Sequence, residues 1–172
     1  MNKDKIREEI DSLDSEILNL LERRICCAKE IGRIKLEKGE DIYAPGRESK
    51  VFENLAAKNA GRISETALKA IFREIISASI SAEKKLQVAY LGPVATFTQQ
   101  AAMKSFGSSV EYRAMHSIPD IFASVELGES DYGVLPIENS IEGAVFHSMD
   151  MLADSSLKIV GQIYLPIEQC II

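Results

Sequence analysis

The sequence has no apolar run that approaches the ~20 residues of a membrane span, and its first ten residues, MNKDKIREEI, lack the apolar stretch of a signal peptide. We therefore expect a cytoplasmic protein. Positive charge is also scarce, because 20 Lys and Arg stand against 26 Asp and Glu and leave a net charge of -6. This balance argues against nucleic acid or an anionic membrane surface as the main partner.

Cysteine and histidine are few. Cys26, Cys27 and Cys170 have no metal-ligand spacing, and their odd number suits reduced thiols, so we expect no disulfide and no metal. The adjacent pair in a helix is interpreted as small core residues. No Ser/His/Asp or Cys/His nucleophile arrangement is visible, since His116 and His147 lie outside the helical half that carries the polar cluster below. We expect chemistry by positioning and electrostatics rather than by a covalent step.

Proline is absent before Pro45, and Gly32 is the only glycine before Gly39, so nothing interrupts a first helix from about residue 2 to residue 38. Apolar residues recur there in steps of three and four, as they do on one helix face. At about 1.5 Å per residue the helix is roughly 55 Å long. Such a rod needs partners along its length, most simply a second copy of itself.

Three cations lie on this helix. Arg24 occupies a position where the apolar pattern calls for an apolar residue, and Lys35 follows on the same face, roughly 16 Å away along the backbone. Arg7 lies about 25 Å of helix before Arg24 and points some 100° away. It can join the same small site only from another chain. The pattern predicts a site for a small polyanion.

The helical pattern continues to about Leu86. Pro45 suits the first turn of a second helix, which Gly61 can close, and Ser64 suits the N-cap of a third. In the third helix, Ser79 and Glu83 lie on the same helix face as the preceding apolar residues. For Ser79 alone the simpler interpretation is a helix that emerges into solvent.

Glu83 is harder to explain in that way, because a carboxylate in the last turn opposes the helix dipole. Guanidinium groups grip carboxylates in bidentate fashion, so four cations beside two carboxylates suit a dianionic ligand. The polar residues of the helical half that form this candidate site are Arg7, Arg24, Lys35, Arg47, Glu48, Ser79 and Glu83.

After residue 86 the period changes to alternating strands and helices. We expect strands at 87–91, 110–112, 132–135 and 158–165, and helices at 99–106, 117–128 and 143–153. Such a pattern builds a mostly parallel sheet with ligand sites at the carboxyl ends of its strands. Two loops lie at such ends, GPVATFT at 92–98 and PIENSIEG at 136–143. We divide the chain into a helical domain, residues 1–86, and an α/β domain, residues 87–172, without a linker.

The segments IREEIDSLDSEILNLLERR, IGRIK, APGRE and IISASISAE resemble the all-helical chorismate mutases, and the second half resembles the start of prephenate dehydratase. The whole chain resembles the N-terminal half of the bifunctional enzymes that join both activities in phenylalanine biosynthesis. The resemblance implies an α + α/β fold. It consists of a three-helix all-α chorismate mutase domain, which forms an intertwined homodimer, and an incomplete α/β lobe like that of periplasmic binding proteins.

The resemblance also implies an isomerase without a cofactor, which rearranges chorismate to prephenate through a pericyclic transition state. Arg7 of the partner chain and Arg24 would bind the two carboxylates. Arg47 and Ser79 would support the site, and Glu48 would hold the ring hydroxyl.

By the same resemblance Lys35 and a protonated Glu83 would donate hydrogen bonds to the ether oxygen, so that Lys35, Glu83 and Arg24 form the catalytic set. Two departures from the family pattern stand out. Ala44 replaces a residue that is often Asp, which bears on substrate affinity. Glu83 stands where some relatives have Gln, and a carboxyl group donates only while protonated, so its surroundings must raise its pKa.

In the second half the resemblance places Thr96, Glu138, Asn139 and Ser140 beside a dehydratase-like ligand cleft. The usual GPxGTF(S/T) loop has a second glycine where this chain has Ala95. The Thr-Arg-Phe motif that carries dehydration in this family, the second lobe and the regulatory domain do not occur in these 172 residues. We therefore expect no dehydratase activity.

Two other classes of function stay open. One is a non-catalytic regulatory or binding dimer, which senses an aromatic-pathway metabolite or completes a partner's missing lobe. The other is a helical dimerisation domain whose cations merely pair with acids. The intact set of cations favours the enzyme, whereas Ala44 and the incomplete lobe favour the binding module.

Overall fold

The structure is a computed structural model that describes residues 2–141 and 143–168. Glu142 of the PIENSIEG loop and Cys170 therefore lie outside the described residues. The helices are α1 (Lys3–Lys38), α2 (Pro45–Lys58), α3 (Glu65–Glu83), α4 (Phe97–Phe106), α5 (Ile118–Glu126) and α6 (Phe146–Asp154). The strands are β1 (Gln87–Leu91), β2 (Glu111–Met115), β3 (Tyr132–Val134), β4 (Glu138–Asn139) and β5 (Gly143–Ala144). None of these helices combines the length and apolar character that crossing a membrane requires.

The first helix confirms the extent that the sequence predicts. Asn2 caps its start, since the side chain accepts a hydrogen bond from the Asp4 backbone N–H. Gly39 ends it with φ at 67°, a left-handed conformation that glycine adopts without a steric penalty. The result is one uninterrupted helix of 36 residues.

Much of the apolar face of α1 is uncovered. Residues 7–20 are all exposed, and Ile10, Leu13 and Ile17 retain 50%, 50% and 53% of their accessible surface. The thiols of Cys26 and Cys27 are free and exposed, so their interpretation as core residues is wrong for the single chain. The reason is that α1 packs on α3 through its C-terminal part, where Ala28 and Gly32 are its buried residues.

The second and third helices begin where the sequence predicts. Pro45 opens α2, and Ser64 caps α3 by accepting a hydrogen bond from the Ala67 N–H at 3.2 Å. The expected end of α2 is wrong by two residues, because Asn59 rather than Gly61 is its C-cap. The Asn59 side chain accepts from the Gly61 N–H and donates to the Ile63 carbonyl, which ties the following turn.

A parallel sheet of order β2-β1-β3 forms the centre of the second half. Val88 in β1 pairs with Tyr112 on one side and Tyr132 on the other. The connections through α4 and α5 confirm the alternating pattern, and the carboxyl ends of all three strands lie at one edge.

The bounds of several expected elements in the second half differ. Thr96 is the N-cap of α4, so this helix begins at Phe97 rather than at residue 99. Residues 143 and 144 pair with 138 and 139 in an antiparallel hairpin, β4-β5, which delays the start of α6 to Phe146. Strand β2 begins one residue later than expected and continues to Met115 because it pairs with β1 along its whole length.

The strand expected at 158–165 does not form. A strand exists only where its backbone pairs with a neighbour, and this segment pairs with none of the described strands. Ile159 and Tyr164 of this segment are exposed, at 74% and 76%. The Tyr164 carbonyl instead accepts a hydrogen bond from Lys104 Nζ on α4 at 2.6 Å.

One hydrophobic cluster crosses from the helical half into the α/β half. Ile42, Tyr43, Ile76 and Ile80 pack with the following buried residues of the second half: Leu86, Val88, Tyr90, Ala102, Phe106 and Val110. Only residues 84–86 separate α3 from β1. The two halves therefore share buried surface as well as a short connection.

Candidate functional site

A close approach of α1 to α3 brings the candidate residues together. Gly32 is buried, and a Cβ atom at its position would lie 2.9 Å from the Glu83 Cβ. Only glycine allows this spacing without a shift of one helix. In the sequence, Gly32 stands out only as the one glycine of the first helix before Gly39. A lone glycine in a long helix is nevertheless a sign that another element packs closely there.

Gly32→Ala is expected to lower the free energy of unfolding by about 1–3 kcal/mol, because overpacking exceeds the ~1 kcal/mol that alanine gains in helix propensity. Denaturant unfolding with two-state analysis measures the change. Gly46→Ala in α2 is the matched control, since a Cβ there meets no atom within 4 Å. Equal stability of both variants would contradict the tight crossing at Gly32.

Arg24 reaches from α1 to α3. Its guanidinium donates to Ser79 Oγ and to the Ile75 carbonyl, the latter at 3.3 Å. Ser79 retains only 4% of its exposure, so the interpretation that it emerges into solvent is wrong. Burial lowers the pKa of Arg24, and the positive charge of Arg47 lowers it further, whereas Glu83 raises it. Arg24 is therefore a partly desolvated cation.

Lys35 and Glu83 face each other from α1 and α3. Lys35 Nζ donates to the Ile42 carbonyl at 2.6 Å and lies 3.9 Å from Glu83 Oε2, beyond hydrogen-bond distance. The Glu83 side chain is 10% exposed, and among the described residues its Oε2 has no hydrogen-bond partner. Burial raises the pKa of Glu83, while Lys35 and then Arg24 oppose the rise. The site thus holds a carboxyl group with a raised pKa beside two cations.

Glu48 is held by a residue that the sequence did not single out. Arg73 on α3 donates to Glu48 Oε2 at 2.6 Å, and its guanidinium lies 5.0 Å from the centre of the Phe52 ring. Burial raises the pKa of Glu48, and the hydrogen bond and charge of Arg73 oppose the rise. Within the described chain Glu48 Oε1 has no hydrogen-bond partner. No spacing in the sequence reveals the pair, because the two residues meet only through the packing of α2 on α3.

Arg7 is not part of the group in the single chain. It is exposed, its guanidinium lies 3.6 Å from the Asp4 carboxylate, and about 25 Å of helix separates it from Arg24. Arg47 is exposed on α2, near enough for its charge to affect Arg24. Ala44 is the N-cap of α2 and provides no side-chain cap.

The candidate residues of the α/β half lie in two places, at the start of α4 and in and beside β4. Thr96 Oγ1 accepts from the Gln99 N–H at 3.3 Å and donates to the Leu91 carbonyl at 3.1 Å, so its hydroxyl is engaged in capping α4. Glu138, Asn139 and Ser140 are exposed in and beside β4.

A cleft does lie at the carboxyl ends of β1 and β2, lined by Gly92, Pro93, Val94, Ala114, Met115 and His116. Ala95, which stands at the second glycine position of the loop pattern, has φ at 69°, in the region that glycine adopts more easily. The exposed residues 138–140 are not part of this lining.

Comparison with known proteins covers both halves. Residues 6–84 match the family model for chorismate mutase type II, and residues 88–172 match the model for prephenate dehydratase. A bifunctional chorismate mutase/prephenate dehydratase of Aquifex aeolicus (strain VF5) is 48% identical over 167 residues, which are 95% of this chain and 46% of the relative. The protein of the same name from Escherichia coli (strain K12) is 31% identical over 185 residues, with 97% of this chain and 48% of the relative covered.

The chain therefore spans about half the length of the curated relatives that it matches. Among solved structures, a chorismate mutase (form II) from Thermus thermophilus is 36% identical, covers 46% of this chain and 91% of its own, and has a TM-score of 0.46.

Proposed function

We propose that the chain rearranges chorismate to prephenate, because residues 6–84 match the family model for chorismate mutase type II and residues 88–172 that for prephenate dehydratase. We assign the reaction to a helical domain of residues 1–86, to which an α/β domain of residues 87–172 is attached. The observation that carries the proposal is Glu83, whose carboxyl group is 10% exposed, has a raised pKa and lies 3.9 Å from the ammonium of Lys35.

The residues of the site match the charge of the substrate. Chorismate carries two carboxylates, and its ether oxygen gains negative charge as the bond to it breaks. Arg24, fixed on Ser79, binds a carboxylate. Lys35 and protonated Glu83 donate to the ether oxygen. Glu48 Oε1, which has no hydrogen-bond partner among the described residues, accepts from the ring hydroxyl, while Arg73 holds the other oxygen.

The energetic requirement is modest. An acceleration of about 10⁶ needs roughly 8 kcal/mol of transition-state stabilisation. Donors aimed at a developing negative charge contribute about 3 kcal/mol each. Two donors, together with a substrate held in its reactive conformation, therefore suffice without a cofactor.

We propose that the active form is a homodimer in which Arg7 of each chain completes the site of the other. Two observations support it. The apolar face of residues 7–20 is uncovered in the single chain, and Arg7 is about 25 Å of helix from Arg24. A second α1 laid along the first would bury that face and bring an additional guanidinium to each ligand. For the α/β half, Glu138, Asn139 and Ser140 retain their assignment to a ligand cleft as part of the proposal.

Loss of chorismate absorbance with the purified chain tests the proposed function. We expect turnover without added metal or cofactor. Binding of chorismate without turnover would instead support the regulatory or binding dimer, and titration calorimetry measures that binding.

Glu83→Gln is expected to flatten the dependence of mutase activity on pH. In the wild type the carboxyl donates only while protonated, so activity is full below the raised pKa of Glu83 and falls as pH rises through it. An amide donates at every pH. The pH profile of kcat/KM for both proteins measures the effect, and an unchanged profile in the variant would remove Glu83 from the role of proton-dependent donor.

A further inference from the structure

The ammonium of Lys35 is anchored by a segment outside the helices. Its hydrogen bond at 2.6 Å goes to the carbonyl of Ile42, in the connection between α1 and α2. Ile42 and Tyr43 retain only 7% and 8% of their exposure, although they belong to a short connection of the chain. The position of Lys35 therefore depends on what packs against this connection.

The packing partners of Tyr43 come from the α/β half. Its ring centre lies 4.6 Å from that of Phe106 on α4 and 5.3 Å from that of Tyr132 on β3, and the latter two rings are 5.6 Å apart. The Tyr43 hydroxyl is also 3.1 Å from Ser105 Oγ. We name Tyr43, Phe106 and Tyr132 the aromatic clamp.

The connection between α1 and α2 also affects the pKa of Tyr132. Burial raises the pKa of Tyr132 to about 12, the carboxylate of Asp41 adds to the rise, and a hydrogen bond with the Tyr43 backbone opposes it. The Tyr132 ring thus packs on Tyr43, directly after Ile42, and Asp41, directly before Ile42, is near enough for its charge to affect the Tyr132 hydroxyl.

We propose that the aromatic clamp positions the Ile42 carbonyl and, through it, the ammonium of Lys35, so that the α/β half sets the geometry of the mutase site. The inference rests on the proposed mutase activity, which it extends by giving the attached half a part in that reaction. Tyr132 and Phe106 are positioning residues, since they act on the substrate only through Ile42 and Lys35.

Loosening the clamp has a definite electrostatic consequence. The charged groups that affect the Glu83 carboxyl are Lys35 and Arg24, both on α1. An ammonium released from Ile42 is free to close the 3.9 Å gap to Glu83 Oε2 and form a full ion pair. That pair lowers the pKa of Glu83 and engages both donors with each other. Lys35 and Glu83 then no longer donate to the ether oxygen in the chemical step, whereas Arg24 still binds the substrate carboxylate.

The test uses Tyr132→Leu in the full chain. We expect kcat for chorismate to fall roughly 10- to 100-fold, the range for a misplaced catalytic group, with a much smaller change in KM. The falling limb of the pH profile should move to lower pH. Lys35 should also react more slowly with an amine-directed acylating reagent, because the ion pair with Glu83 keeps its amine protonated. Mass spectrometry of the labelled peptide measures this without any turnover.

Two further variants separate positioning from general destabilisation. Tyr132→Phe keeps the ring of the clamp and should retain most of kcat. Ile121→Val removes one methyl group from a residue that is 1% exposed on α5, on the sheet but outside the hydrophobic cluster of the clamp. It should lower stability yet leave the pH profile and the reactivity of Lys35 unchanged.

The inference would be overturned if Tyr132→Leu kept the kcat, the pH profile and the Lys35 reactivity of the wild type. It would also be overturned if Ile121→Val changed these three quantities as much as Tyr132→Leu does. If the wild-type chain does not turn over chorismate, the proposed function fails by itself. The reactivity of Lys35 in the three variants then still decides whether the clamp positions its ammonium.

Discussion

Arg24→Ala is expected to lower kcat/KM for chorismate by at least about 100-fold. Hydrogen bonds between charged groups contribute roughly 1.5–3 kcal/mol each, and every ~1.4 kcal/mol corresponds to a factor of ten. The variant also leaves Ser79 Oγ, now bound by the guanidinium, without this donor. Steady-state kinetics measures the loss. Arg33→Ala is the control, because Arg33 pairs with Glu30 and Glu37 on the exposed surface of α1.

Mixing chains that carry Arg24→Ala with chains that carry Arg7→Ala tests whether each site takes residues from two chains. Each homodimer alone should be nearly inactive. In a mixed dimer one site has both arginines intact and the other has neither. Random mixing of equal amounts therefore restores about a quarter of the wild-type sites in a two-fold dimer. Mixed dimers, demonstrated by a size or affinity tag, that stay inactive would exclude the shared site.

Lys35→Met is expected to lower kcat by about 10²–10³, the loss found when one donor to a developing negative charge is removed. Methionine fills a similar volume without a charge. The variant has a second signature: Lys35 lowers the pKa of Glu83, so its removal raises that pKa. Activity that remains should persist to higher pH than in the wild type.

The change in kcat and the change in the pH profile together distinguish two roles of Lys35, a hydrogen-bond donor to the substrate and a charge that sets the pKa of Glu83. If kcat falls and the profile does not move, Lys35 does not face Glu83. If the profile moves and kcat stays at the wild-type level, Lys35 sets only the protonation of Glu83. Lys29→Met, at an exposed position of the same helix, controls for the loss of one positive charge.

The sequence predicts most of the local structure because local rules determine it. The length of α1 follows from the absence of proline, and the one glycine inside the helix, Gly32, does not interrupt it. The ends of α1 follow from Asn2 as the N-cap and Gly39 as the C-cap. The facing of Arg24 and Lys35 towards one partner helix follows from the helical period.

What the sequence did not reveal depends on contacts between distant segments. Ser79 is buried because Arg24 covers it across 55 positions of sequence, and Glu48 is bound by Arg73 from another helix. The segment 158–165 has the composition of a strand, but composition does not provide a partner for its backbone. Pairing of this kind is decided by the three-dimensional arrangement alone.

The hydrophobic cluster that joins the two halves has a consequence for how the chain loses its structure. Ile42 and Ile76 are buried partly by Leu86 and Phe106, so the apolar surface of each half is hidden by the other. Unfolding of either half exposes the buried apolar residues of the other half to water. This exposure lowers the free energy of unfolding of the other half as well. We therefore expect the helical and α/β halves to unfold as a single cooperative unit, although they match two families.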